Sequence, residues 1–205
     1  MTFLNDAEKV QLRDVIRAAE AKTSGEIVTV VARASDEYFY YPTLWAALLA
    51  ILSPLLPIGL ALSFAPLGII ELQLLVFALL VLAFRWPPVK MILVPRVVQR
   101  QYCARRAREQ FFAQNLHATR GRTGVLLFVS VAERHVELLA DAGIHECVPE
   151  GTWHTLVRAF TARVRADQIG AGFIEAVTAI GALLAVHFPA PGVNPNELPD
   201  RLIEL

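Results

Sequence analysis

The chain has 205 residues, 55% of them hydrophobic, and its 19 basic and 19 acidic side chains leave no net charge. That balance excludes a bulk nucleic-acid binder, which needs an excess of Lys and Arg against phosphate. Two cysteines, Cys103 and Cys147, make neither a disulfide framework nor a CxxC metal pair and suit a reducing compartment.

Asn5 opens the first helix, with Glu8 three residues on at capping-box spacing. Leu12, Val15, Ile16 and Ala19 form its apolar face, and Glu8, Lys9, Arg13, Asp14 and Arg17 cover the rest. Thr23-Ser24-Gly25 stops the helix, and the β-branched residues 27–31 read as a strand. Asp36 and Glu37 follow at the C-terminal end of that strand, where open α/β sheets place ligands.

Residues 41–84 then contain a single charged side chain, Glu71. Two apolar runs, 43–64 and 67–84, are separated by Ala65 and Pro66. Each is roughly 20 residues long, enough at about 1.5 Å per residue to cross a hydrocarbon core about 30 Å thick. Backbone in lipid must satisfy its hydrogen bonds internally, so both runs are expected to be helical and the short connection makes them an antiparallel transmembrane hairpin. The alternative is a helical pair buried in a soluble core, for which this chain is small. Trp45 and Trp86, joined by Tyr38, Tyr40 and Tyr41, are expected at one water–lipid boundary. Arg85, Lys90, Arg96, Arg100, Arg105, Arg106 and Arg108 follow the second run, Lys22 and Arg33 precede the first, and the turn between the runs has no cation. The positive-inside rule therefore predicts both termini in the cytoplasm of an inner-membrane protein, with Arg85, Lys90, Arg96 and Arg100 at the membrane interface. The polar chain ahead of the hairpin does not resemble a signal peptide. Basic residues close to anionic headgroups contribute about 1 kcal/mol each. Ala46, Ala47, Ala50 and Gly59, with Pro54 and Pro57, suit packing against another membrane helix or a second copy of the chain.

Beyond Pro87-Pro88, an amphipathic helix is expected over 95–116, with Val97, Val98, Tyr102, Phe111, Phe112 and Leu116 at helical spacing. The continuous apolar run 125–129 reads as a central strand. Ala132-Glu133-Arg134 turns the chain, and Val136, Leu138 and Ala140 alternate with polar residues, predicting a strand antiparallel to the first of the pair. Thr152 is expected to cap a helix carrying Trp153, Leu156, Val157, Phe160 and Val164. A last helix runs from Gly170 to about Phe188. Its apolarity raises a third membrane span, while Glu175, Gly181 and His187 favour a helix buried against the sheet. Residues 189–205 are expected to form an extended tail.

Candidate chemistry is sparse. Asp36 and Glu37, with Glu133 or Asp141, are weak candidates for ligating a divalent cation through carboxylate oxygens; solvated loop acids are the alternative. His145, Glu146, Glu150 and His154 share one segment but lack HExxH spacing, so surface or core roles are expected. Ser24, Ser35 and Ser130 lie in no GxSxG elbow, and residues 121–124 lack the Lys-Ser/Thr ending of a phosphate loop. Cys103 sits in a basic helix, a setting that lowers a thiol pKa, although packing is the commoner role of a lone cysteine at helical spacing.

The order of helix, glycine turn, β-branched strand, long helix, GVLLFVS strand, Glu-Arg turn, second strand and two helices resembles the TPM domain family. The stretches that carry the resemblance are 22–32 (KTSGEIVTVVA), 124–140 (GVLLFVSVAERHVELLA) with Gly143 beyond, and 170–184. It implies an α/β fold, a small sheet sandwiched between helices, interrupted by the hairpin. The expected layout is a first part over 1–42, the hairpin over 43–86, the remainder of the domain over 87–188 and a tail over 189–205. Some members of the family are acid phosphatases or calcium binders using acidic clusters. Many carry Asp or Asn before the strand glycine, where this chain has Thr123, and Asp before the Glu-Arg turn, where it has Ala132. Hard cations need oxygen ligands, and phosphate chemistry usually needs such a cation or a nucleophile. A non-catalytic binding or regulatory module of an envelope membrane complex is therefore expected. The alternative is a calcium- or magnesium-dependent phosphomonoesterase using Asp36, Glu37, Glu133 and Asp141. Bacterial relatives are often encoded beside LemA-type membrane proteins, which makes such a protein a partner by association.

Overall fold

The computed structural model describes residues 3–60, 62, 65–145, 147–190, 198 and 200–205. In chain order the elements are α1 (Asp6–Glu20), β1 (Glu26–Ala32), α2 (Tyr40–Leu52), α3 (Leu55–Gly59), α4 (Pro66–Phe84), α5 (Pro87–Leu93) and α6 (Arg96–Ala113). After a 3-10 turn at Leu116–Ala118 come β2 (Gly124–Ser130), β3 (His135–Ala140), α7 (Ala142–His145), α8 (Glu150–Arg165), α9 (Ile169–His187) and β4 (Leu202–Glu204). The chain divides into two units, one of Met1–Ser35 with Arg100–Leu205, the other Asp36–Gln99.

The first unit is built on a four-stranded sheet of order β3-β2-β1-β4. β1 and β2 run parallel, Glu26 opposite Gly124 through Ala32 opposite Ser130, and every residue of both is buried. That burial on two faces is what their continuous apolar sequences require. β3 returns antiparallel on β2, as its alternation predicts. One face of the sheet presents Ile27, Val31, Val125, Leu127, Val129 and Val136 to Leu12 and Ile16 of α1, to Trp153 and Phe160 of α8, and to Phe173, Val177, Ile180 and Leu184 of α9. The other face presents Val28, Val30, Ala32, Leu126 and Phe128 to Ala107 and Phe111 of α6 and to Leu116. The sheet is thus sandwiched between helices, and each fully buried Leu, Ile, Val or Phe contributes about 1.5–3 kcal/mol of burial. α1 starts with the expected capping box: the Asn5 side chain accepts from the Glu8 N–H at 2.8 Å, and the Glu8 carboxylate accepts from the Asn5 N–H at 2.8 Å.

Three expectations for this unit change. The long helix ends at Ala113, because Asn115 takes a left-handed conformation (φ 57°) and Leu116 belongs to the separate 3-10 turn. α8 begins two residues before Thr152, with Pro149 in the cap position at φ −60°, a value the proline ring fixes in advance. The tail is more than an extended end: Leu202–Glu204 forms β4, parallel to β1 with Thr29 opposite Leu202.

In the second unit α2 packs against α4, and α5 contacts both. The first apolar run is not one continuous helix. Ser53 and Pro54 separate α2 from the short α3, because proline lacks the N–H that the helix interior needs. Residues 61, 63 and 64 of that run lie outside the described residues. α5 occupies the stretch between the second apolar run and the long helix, with Pro87 at the first helical position, where a missing N–H costs nothing. Among the described residues, three helical segments are long and apolar enough to cross a membrane: Tyr40–Gly59, Pro66–Phe84 and Ile169–His187. Half of the third is buried within its unit, whereas none of Pro66–Phe84 is.

Candidate functional site

Because β1 and β2 are parallel and in register, the loops leaving Ala32 and Ser130 converge at one edge of the sheet. The ladder continues past the strands, with Val131 N–H donating to Ala32 O (3.0 Å) and Ala132 N–H to Arg33 O (3.0 Å). Arg134 closes the turn in a left-handed conformation (φ 49°). This geometry gathers a polar cluster. Ser35 N–H donates to Glu133 Oε1 (2.9 Å), Ser130 Oγ donates to Glu133 Oε2, and Ser35 Oγ lies 2.9 Å from Ser130 Oγ and 3.1 Å from Cys103 Sγ. Beside it, at the start of β3, His135 Nε2 meets Glu137 Oε1 at 2.7 Å.

Burial pushes the Cys103 thiol up to about 12; the Ser35 hydroxyl opposes that shift, and the Glu133 and Glu137 carboxylates reinforce it. The thiol is therefore protonated at neutral pH, and the basic helix around it does not activate it. A hydrogen-bonded relay results, in which the Ser35 hydroxyl lies against both Cys103 Sγ and Ser130 Oγ and Ser130 donates to the Glu133 carboxylate. Such a relay satisfies buried polar groups and fixes rotamers. Ser130 is 0% exposed, so it presents no nucleophile to a substrate.

The candidate carboxylates do not assemble into one set. Glu133 precedes β3 and Asp141 follows it, so six strand residues, about 20 Å at 3.3 Å each, separate them and they cannot share an ion. Asp141 instead receives Arg122 Nε (3.0 Å), Arg122 Nη2 (3.1 Å) and the Ala142 N–H (2.7 Å). Burial opposes its ionisation, but these donors prevail and hold the carboxyl below its ordinary value. Asp36 and Glu37 belong to the second unit, where Asp36 Oδ1 accepts from the Tyr38 N–H (2.8 Å) and the Glu37 carbonyl accepts from Lys90 Nζ (3.0 Å). His145 ends α7 and His154 lies exposed on α8; Glu146 and the Glu150 side chain lie outside the described residues. Among the described residues, no three His, Cys, Asp or Glu side chains come within reach of one metal ion.

The remaining sequence candidates have structural explanations. Ser24 N–H donates to Phe188 O and the Ser24 carbonyl accepts from Thr123 Oγ1. A Cβ at Gly124 would lie 2.6 Å from Leu116 O, so that glycine serves close packing and not phosphate binding. Of the interface candidates, Arg85, Trp86, Arg96 and Arg100 are exposed, while Trp45 Nε1 donates to Leu93 O (3.3 Å). The sequence reading missed the joining of Ser35, Cys103, Ser130 and Glu133, which depends on strand register and on α6 lying over that face, and no spacing motif signals it.

Residues 88–183 match the family model of the TPM domain. Among solved structures, the NMR structure of the BA42 protein from the psychrophilic bacterium Bizionia argentinensis is similar in fold. Its TM-score is 0.63 at 19% identity, over 100% of this chain and 97% of that one. No curated protein matches the chain. The matched segment supplies α6, β2, β3, α8 and most of α9 around the sandwiched sheet, and over those residues the chain carries a TPM domain.

Proposed function

We propose that this is an integral inner-membrane protein, anchored by the α2–α4 hairpin with both termini in the cytoplasm, whose TPM domain acts as a non-catalytic binding or regulatory module. The observation that carries the reading is α4: 19 residues without a charge other than Glu71 and with no buried residue, Leu74 and Leu82 being 64% and 70% exposed. An apolar surface of that extent in water marks an interface, and at this length the partner is a bilayer. The binding role is supported by the carboxylates, since Glu133 and Asp141 are each engaged by two or more protein donors.

Cysteine labelling tests the topology, with Cys147, which is exposed, as a built-in cytoplasmic reporter. In intact spheroplasts, a membrane-impermeant maleimide should label a Leu60→Cys variant at the hairpin tip and spare Cys147 until the membrane is opened. Labelling of Cys147 in sealed cells, or extraction of the protein from membranes by alkaline carbonate, would overturn the reading. The module role is tested on a generic phosphomonoester at acidic and neutral pH with calcium, magnesium or manganese. Metal-dependent turnover that is lost in Asp36→Ala/Asp141→Ala would replace it with the phosphatase reading. Crosslinking in native membranes, with a LemA-type protein as the first candidate, tests for a partner.

A further inference from the structure

The edge of β1 that faces away from β2 is covered by β4, which is three residues long. Its ladder is anchored where Leu205 N–H donates to Val31 O (2.9 Å) and Arg33 N–H donates to Leu205 O (3.1 Å). At the other end β4 stops short: the register of Leu202 opposite Thr29, carried back two residues, brings Asp200 level with Ile27. There the Ile27 N–H donates to a side chain instead of a strand carbonyl, Glu20 Oε1 at 2.8 Å. Glu20 is also hydrogen-bonded to Asp200, and Glu26 is next to it. All three carboxyls are at most 9% exposed. Two carboxyl groups in hydrogen-bond contact need a proton between them, because like charges so close cannot both ionise.

We propose that β4 is a releasable strap whose seating on the edge of β1 takes up one proton, held by the Glu20 carboxyl where it faces Asp200. Only residues of the sheet unit take part, so the inference stands apart from the membrane reading. Burial pushes Glu20 up to about 9; the Ile27 N–H opposes, and the charges of Glu26 and Asp200 add to the rise. The groups facing this contact are Glu26 and the Ile27 N–H from β1, Asp200 from the strap, and Arg17 from α1, which reaches Asp200 at 3.4 Å. α9, packed along α1, carries Glu175, paired with Arg163, and the exposed His187. Lys9 and Glu204 pair at 3.0 Å at the far end of the strap. Once the strap lifts, Glu20 gains water and needs no proton. Seating therefore weakens as pH rises from the ordinary carboxyl value of 4.5 toward about 9. A lifted strap leaves the N–H and C=O groups of β1 unpaired, an edge that an extended segment of another chain can complete.

Hydrogen exchange on the full chain in detergent micelles tests this, read as protection relative to intrinsic exchange at the Leu205 and Arg33 amides. One proton of linkage predicts that protection falls about tenfold per pH unit near neutrality. The Leu12 and Val177 amides of α1 and α9 should not follow. In Glu20→Gln the amide keeps both contacts, accepting from Ile27 and donating to Asp200, so its profile should be flat. Glu20→Met, which carries no titrating proton at this position, should also be flat and serves if the first variant does not fold. A flat wild-type profile, an unchanged slope in the variant that folds, or an equal slope at α1 and α9 amides would each overturn the proposal.

Discussion

A methyl group placed at Gly181 tests how closely α9 packs on α1. A Cβ there would lie 2.5 Å from Ala19 Cβ and 3.3 Å from Ala19 Cα, against an optimal carbon–carbon separation of about 3.5–4.0 Å. Ala19 cannot rotate out of the way, because its Cβ is fixed by the α1 backbone, so the two helices must separate. Overpacking of this kind costs about 1–3 kcal/mol, and the gain in helix propensity from Gly to Ala returns about 1 kcal/mol. Gly181→Ala is therefore expected to destabilise the domain by about 1 kcal/mol, the midpoint of a range from zero to about 2 kcal/mol. Ala19→Gly removes the opposing methyl and costs about 1 kcal/mol by itself through propensity. The double variant moves one methyl from α1 to α9. Its propensity terms cancel and the clash disappears, so it should return to within about 0.5 kcal/mol of wild type. Urea unfolding followed by Trp153 fluorescence provides the measurement, with Trp45→Phe and Trp86→Phe leaving that 7% exposed indole as the sole tryptophan. A double variant no better than the sum of the single losses would refute the close α1–α9 contact.

Three further outcomes follow from local geometry. Alkylation of the native protein at about pH 8 should add one adduct, at exposed Cys147, and in denaturant two, since Cys103 is buried with its thiol pushed up to about 12; mass spectrometry of the native sample showing modified Cys103 would contradict this. Asp141 is held below its ordinary value, so its contribution to stability is present above that value and lost as pH falls through the lowered one. Asp141→Asn should thus be less stable at neutral pH yet lose less on acidification, as read from urea midpoints; 60% exposure of the Arg122 side chain keeps the effect small and salt-sensitive. Asn5→Ala removes the acceptor of the Glu8 N–H and should cost about 0.5–2 kcal/mol, visible as a lower thermal midpoint.

The sequence by itself determined the elements whose pattern is local. α4 is legible because an apolar run of membrane length has few other uses, β1 and β2 because continuous β-branched and aliphatic runs require burial on both faces, and α1 because its capping box lies within four residues. The family resemblance rests on the order of those same elements. What only the tertiary structure decided are contacts between residues far apart in the chain. Leu202–Glu204 is too short to announce itself and becomes a strand because β1 offers an unpaired edge. Ser35, Cys103, Ser130 and Glu133 meet because a parallel register aligns two strand ends under α6. Glu20 holds a proton because folding buries it beside Asp200, and burial in the company of another carboxyl has no signature in spacing. The same physics separated the candidate metal ligands: a strand is a rigid spacer, and Glu133 and Asp141, close in sequence, stand at its opposite ends.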